Sequence, residues 1–160
     1  MTRYLIAILV TLCTGLSYGG SKPQGAVNPD PRVLNLLYQA KQFMKYEDTV
    51  KIPPMLPMTE KQLQKIYCSA GESCTVSALY YGGKVYYNQN LDLSDALSRS
   101  IILHEMVHHI QREKVGDTYD CNMWWKKERE AYSIQAAYLR KYGLDDSVVR
   151  DTVKILKCPA

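Results

Sequence analysis

Apolar positions recur along this chain with two different periods, and the change of period marks its elements. Val33, Leu36, Leu37, Ala40, Phe43 and Met44 fall three and four apart, which predicts an amphipathic helix over 31–46. Asp30 would cap it, with Pro31 at the first helical position. The stretch from Ile52 to Pro57 carries three prolines and must be extended. Thr59-x-x-Gln62 has the form of a capping box and opens a short helix running toward Cys68. The period then shifts. Thr75–Tyr81 and Lys84–Tyr87 are rich in β-formers and flank Gly82-Gly83, which predicts a β-hairpin. Ser94 or Asp95 begins a helix that runs to about Lys114 and stops at Gly116. Asn122 caps a further helix over Met123–Tyr142, stopped by Gly143, and Asp145–Leu156 reads as a last short helix. The expected fold class is α+β, mostly helical, with a short hairpin ahead of the Ser94/Asp95 helix.

Composition narrows the class. The 160 residues are 46% hydrophobic and 22% charged, which excludes disordered and low-complexity chains and allows one domain with a real core. The formal charge is +4 with no dense basic block, so no nucleic-acid partner is expected. Residues 1–19 read as a signal peptide: Arg3 precedes the apolar run Leu5–Leu16, and Ser17 and Gly19 suit cleavage. The run is shorter than the ~20 residues of a spanning helix, so no stable membrane insertion is expected after cleavage. Residues 20–30 form a flexible lead-in, and 20–160 a single domain that is secreted or periplasmic. Loss of Cys13 with the signal leaves Cys68, Cys74, Cys121 and Cys158. An even number in an oxidising compartment favours two disulfides over a cysteine-ligated metal. Of the three pairings, Cys68–Cys74 with Cys121–Cys158 is favoured.

The chain has three histidines, all between positions 104 and 109. His104-Glu105-Met106-Val107-His108 is H-E-x-x-H. Residues four apart on a helix are offset by only ~40°, so both imidazoles project from one face, a turn apart. Two such nitrogens can share one Zn²⁺ ion. Glu105 is rotated off that stripe, where its carboxylate can take a proton from a zinc-activated water. Leu103, Val107 and Ile110 form the packing face on the other side. His109 lies ~140° round the helix from His104 and is expected to pack or hydrogen-bond at the helix edge.

A catalytic zinc needs three protein ligands and an open position. With no further histidine, the third is expected to be a carboxylate from the Met123–Tyr142 helix. Trp124, Ala131, Tyr138, Leu139 and Tyr142 define its apolar stripe, and Glu128 falls inside it with Gln135, whereas Glu130 faces Lys126, Lys127 and Lys141. A carboxylate on an inward face demands a partner, so Glu128 is the expected ligand. The rival reading is an ordinary inter-helix salt bridge.

Hairpin, H-E-x-x-H helix and a helix bearing E-x-x-A (Glu128–Ala131) together resemble the gluzincin division of zinc metallopeptidases, in particular its small secreted bacterial members. The resemblance covers about Thr75 to Tyr142. It implies a minimal zincin-like domain in which His104, His108 and Glu128 bind zinc and Glu105 is general base in hydrolysis of a peptide or protein substrate. Zincins commonly use a Tyr or His as a second electrophile; Tyr119 and Tyr132 are both candidates here. Many gluzincins carry an acidic residue four positions after the glutamate ligand, and this chain departs from them with Tyr132. The hairpin can offer an edge strand to an extended peptide. Tyr80, Tyr81, Tyr86 and Tyr87 would line that groove or pack, with packing expected on at least one face. Two other readings stay open: a non-catalytic binding module that keeps zinc for stability, and a zinc hydrolase with a non-peptide substrate.

Overall fold

A computed structural model describes residues 30–68, 74–117 and 120–155. The expected signal peptide (1–19), most of the expected lead-in, Tyr119, Leu156 and Cys158 lie outside the described residues. Helix α1 spans Pro31–Met44, and the Asp30 carboxylate accepts from the Arg32 amide at 2.8 Å. It ends two residues earlier than the periodicity suggests. Lys45 takes a left-handed conformation (φ 51°), and Tyr46 N–H closes back on Lys41 O at 3.0 Å, a terminus that apolar spacing does not encode. The proline-rich stretch leads into β1, Met55–Met58. Thr59 and Gln62 form the predicted capping box at the start of α2, Glu60–Tyr67. A disulfide joins Cys68 to Cys74. Cys121 is disulfide-bonded as well, while its expected partner Cys158 lies outside the described residues.

The hairpin forms as β2, Ala78–Tyr81, and β3, Lys84–Asn88. Gly82 and Gly83 both have positive φ, 57° and 78°, as a two-residue turn of the type favoured between twisted strands requires. The sheet has a third strand that the hairpin signal does not reveal. β1 pairs in parallel with β3, from Met55 opposite Val85 to Met58 opposite Asn88, so the order is β1-β3-β2. Pro57 is tolerated because β1 is an edge strand. β2 is the other edge.

Helix α3, Ala96–Val115, is capped by Asp95 and stopped by Gly116, and α4 spans Cys121–Lys141. The expected Asn122 cap is corrected to Asp120, whose carboxylate accepts from Met123 N–H at 2.8 Å. An anionic acceptor suits the positive end of a helix better than an amide. Helix α5, Ser147–Ile155, follows. The fold is α+β, as expected. No helix among the described residues is long and apolar enough to cross a membrane.

α3 lies at the centre, packed on α1, α4, β2 and β3. Its Ile102, Leu103, Met106, Val107 and Ile110 meet Val33, Leu36, Leu37 and Ala40 of α1, Val85 of β3, and Ala131, Ile134 and Tyr138 of α4. The helix is therefore more enclosed than a single packing face implies: His104, Glu105 and His109 are buried too. Tyr80 and Tyr87 pack against this core, Tyr86 against a smaller cluster around Leu63, and Tyr81 is exposed.

Candidate metal centre

Four-residue spacing on α3 brings His104 and His108 edge to face, with ring centroids 4.7 Å apart and Nε2 atoms 3.0 Å apart. The packing of α4 across α3 places Glu128 opposite both. Its Oε1 lies 3.2 Å from His108 Nε2 and its Oε2 lies 3.4 Å from His104 Nε2. The three side chains form a group that could hold a metal ion. Glu128, the carboxylate on the apolar phase of α4, is the one that joins the histidines. Glu130 instead accepts a hydrogen bond from Gln111 Nε2 at 2.9 Å.

The charges are mutually dependent. Burial works against ionisation of Glu128, but the facing His108 and hydrogen bonds from both histidines hold its carboxyl well below the usual range. Burial likewise opposes a charged His108, yet the Glu128 carboxylate outweighs it and raises the imidazole to about 9. A group raised on folding stabilises the fold below its unfolded pKa and loses that contribution as pH rises through the folded value. The metal-free protein should therefore lose stability between pH 6.5 and about 9. Glu128 acts in the opposite sense, its contribution lost as pH falls from about 4.5. Glu105 is raised, chiefly by burial, so it adds a loss in the same sense as His108 that begins as pH rises above 4.5. Urea midpoints of chelator-treated protein at pH 5.5, 7.5 and 9 should fall in that order; a flat or rising series would contradict these assignments.

Glu105 is buried beside the triangle, and its Oε2 accepts the backbone N–H of Tyr80 on β2 at 2.7 Å. The Tyr80 side chain makes a second tie to α3. Its hydroxyl donates to His109 Nδ1 at 3.1 Å, and His109 Nε2–H donates to Lys51 O at 2.7 Å. His109 thus stands outside the metal group, as expected, and joins the edge strand to the α3 turn after the general-base candidate. Arg112, one turn on, lies so close to the hairpin that a Cβ on Gly83 would come within 2.6 Å of its Nη1.

Three neighbours of the group escape motif reading or depart from it. Gln111, 3% exposed, stands one turn after His108 with its Oε1 2.8 Å from His108 Nδ1. A buried amide at that spacing is a signal available in the sequence, but only relative to a known ligand. Tyr132 packs against the His104 ring in a tilted arrangement, with centroids 4.3 Å apart and the planes at 60°. His104 Nδ1 is buried without a hydrogen-bond partner among the described residues, so Tyr132 meets the His104 ring by packing alone. Tyr67, at the end of α2, has its hydroxyl held neutral by burial and by the Glu128 and Glu105 carboxylates. Nothing in the local pattern of α2 points to it.

No curated protein and no solved structure matches the chain. The chain belongs to the family described as a domain of unknown function (DUF6647), which it matches over residues 37–158, a span that includes His104, Glu105, His108 and Glu128.

Proposed function

We propose that this protein is a secreted or periplasmic zinc metallopeptidase that hydrolyses peptide bonds with Glu105 as general base. The observation that carries the reading is the triangle of His104 Nε2, His108 Nε2 and Glu128, with separations of 3.0, 3.2 and 3.4 Å. Donors ~2.0–2.2 Å from one tetrahedral ion lie about 3.3–3.6 Å apart, so these side chains are already close to the spacing of one ligand shell. Two neutral imidazoles and one carboxylate are a donor set that zinc accepts at catalytic sites. A zinc ion bound there would supply Lewis acidity and lower the pKa of a coordinated water toward ~7.

The remaining chemistry belongs to the chain. Glu105 accepts a proton from the attacking water and delivers one to the leaving amine. The Tyr80 amide holds one of its oxygens, leaving the other for that transfer. Tyr132 and Tyr67 are close enough to feel the Glu128 and Glu105 charges, which together with burial hold both phenols neutral, and they are the candidates for stabilising the developing oxyanion. β2, as an edge strand beside α3, offers backbone groups to an extended substrate. Export is supported by the amino-terminal signal pattern and by disulfide formation at Cys68–Cys74.

A purely structural zinc would be closed by a fourth protein ligand. Among the described residues, the candidate group contains only His104, His108 and Glu128, which favours an open, reactive position over the binding-module reading. The test is metal analysis of the purified mature chain alongside a protease assay on casein and a quenched peptide library. One zinc per chain with chelator-sensitive cleavage is expected. A chain that neither retains nor takes up zinc would sink the proposal; zinc without cleavage would leave the binding-module and non-peptide readings.

A further inference from the structure

We infer that Gln111 is a positioning residue for the metal ligand His108, tying it to the backbone that presents Glu128; this rests on the zinc reading above. His108 Nδ1 lies 2.8 Å from Gln111 Oε1. A carbonyl oxygen can only accept, so the ring donates from Nδ1, and Nε2 is the nitrogen left to give up its proton and offer its lone pair to a metal. The amide cannot turn over to offer His108 a donor instead. Its Nε2 donates to Lys127 O at 2.9 Å and to Glu130 Oε2 at 2.9 Å, and a flipped amide would set its oxygen against both of these acceptors. Glu130 and the Lys127 carbonyl thus lock Gln111, and Gln111 locks the tautomer and orientation of His108.

The same side chain spans the two ligand-bearing helices. Lys127 immediately precedes Glu128, so Gln111 fixes His108 against the very turn of α4 that carries the third ligand. His104 has no equivalent: its Nδ1 lacks a hydrogen-bond partner among the described residues, and its ring makes a tilted packing contact with Tyr132. The hydrogen-bonded orientation of the centre therefore rests heavily on Gln111. This also gives a role to Glu130. It is a glutamate of the same helix turn that does not ligate but orients the group that orients a ligand, in a chain where Tyr132 occupies the usual acidic position.

The test measures Zn²⁺ affinity of the full mature chain by competition with a chromophoric chelator, and Co²⁺ absorption as a report on ligand geometry. Gln111→Leu keeps the volume but removes the acceptor, and is expected to weaken zinc binding 10- to 100-fold and alter the Co²⁺ spectrum. The double variant Gln111→Glu with Glu130→Gln exchanges the amide and carboxylate across the helix interface. It restores an acceptor to His108 and the donor–acceptor pair between positions 111 and 130, but leaves the Lys127 carbonyl without its donor. It is therefore expected to bind zinc several-fold more tightly than Gln111→Leu without fully reaching the wild type. A Gln111→Leu chain that binds zinc like the wild type overturns the inference. So does an exchanged pair whose zinc affinity has fallen more than about 100-fold below the wild type, no better than the loss expected without an acceptor, whether or not Gln111→Leu folds. Wild-type protein that takes up no zinc would instead overturn the metal reading itself, so the two failures are distinguishable.

Discussion

Glu105→Gln is expected to retain one zinc per chain and to lose hydrolytic activity by roughly 10²–10⁴-fold, the usual contribution of a general base. The substitution preserves size and leaves a side-chain oxygen for the Tyr80 amide, which now bonds Glu105 Oε2 at 2.7 Å. It removes only the ability to take up a proton. Glu105 lies outside the ligand triangle, so zinc affinity has no reason to fall. Because burial raises the Glu105 carboxyl, replacing it with a neutral amide should also make the metal-free protein more resistant to unfolding at alkaline pH. Cleavage rates on casein or a peptide library, measured beside zinc content, decide the matter. Activity equal to the wild type would end the general-base assignment, and loss of zinc would move Glu105 into the ligand shell.

Glu128→Gln is expected to abolish zinc-dependent stabilisation. A ligand at 100 times its dissociation constant stabilises the native state by about 2.7 kcal/mol, so wild-type protein should unfold at a clearly higher temperature with zinc than with chelator. The variant keeps the bulk of the side chain but loses the carboxylate that faces His104 and His108 at 3.4 and 3.2 Å. Its thermal midpoint should no longer respond to zinc. The competing interpretation of Glu128, an inter-helix salt bridge, makes a different prediction. In that case the wild type itself would show no zinc response, while the variant would still be less stable than the wild type at neutral pH, having lost the charge that holds His108 protonated up to about pH 9.

Local signals in the chain specified more than secondary structure. The cap and proline before α1, the Thr59/Gln62 box, the Gly82-Gly83 turn and Gly116 each act within a few residues, and each appears where its chemistry requires. The grouping of His104, His108 and Glu128 was legible for the same reason. His104 and His108 share a face by helical geometry, and Glu128 carries a charge at an apolar phase of its helix. What escaped involves partners far apart along the chain. The parallel pairing of β1 with β3 joins segments about thirty residues apart, and no turn residue announces it. The Asp120 cap was misplaced because Asn122, two residues on, is also a good capping residue, and only the backbone geometry distinguishes them.

The sequence by itself determined which residues could do chemistry: two histidines one turn apart, a glutamate beside them, and a glutamate on the inward phase of the next helix. Tertiary structure decided how they are held. The crossing of α3 and α4 closes the three donors into one triangle. The hairpin folded onto α3 brings a backbone amide to Glu105 and gives His109 its partner in Tyr80. Gln111, an unremarked polar residue in the linear pattern, becomes the link between His108 and α4. The division has a physical cause. Periodicity and caps are set by bonds within a turn or two of one helix, whereas orientation of a ligand depends on groups that only long-range packing brings within hydrogen-bonding distance.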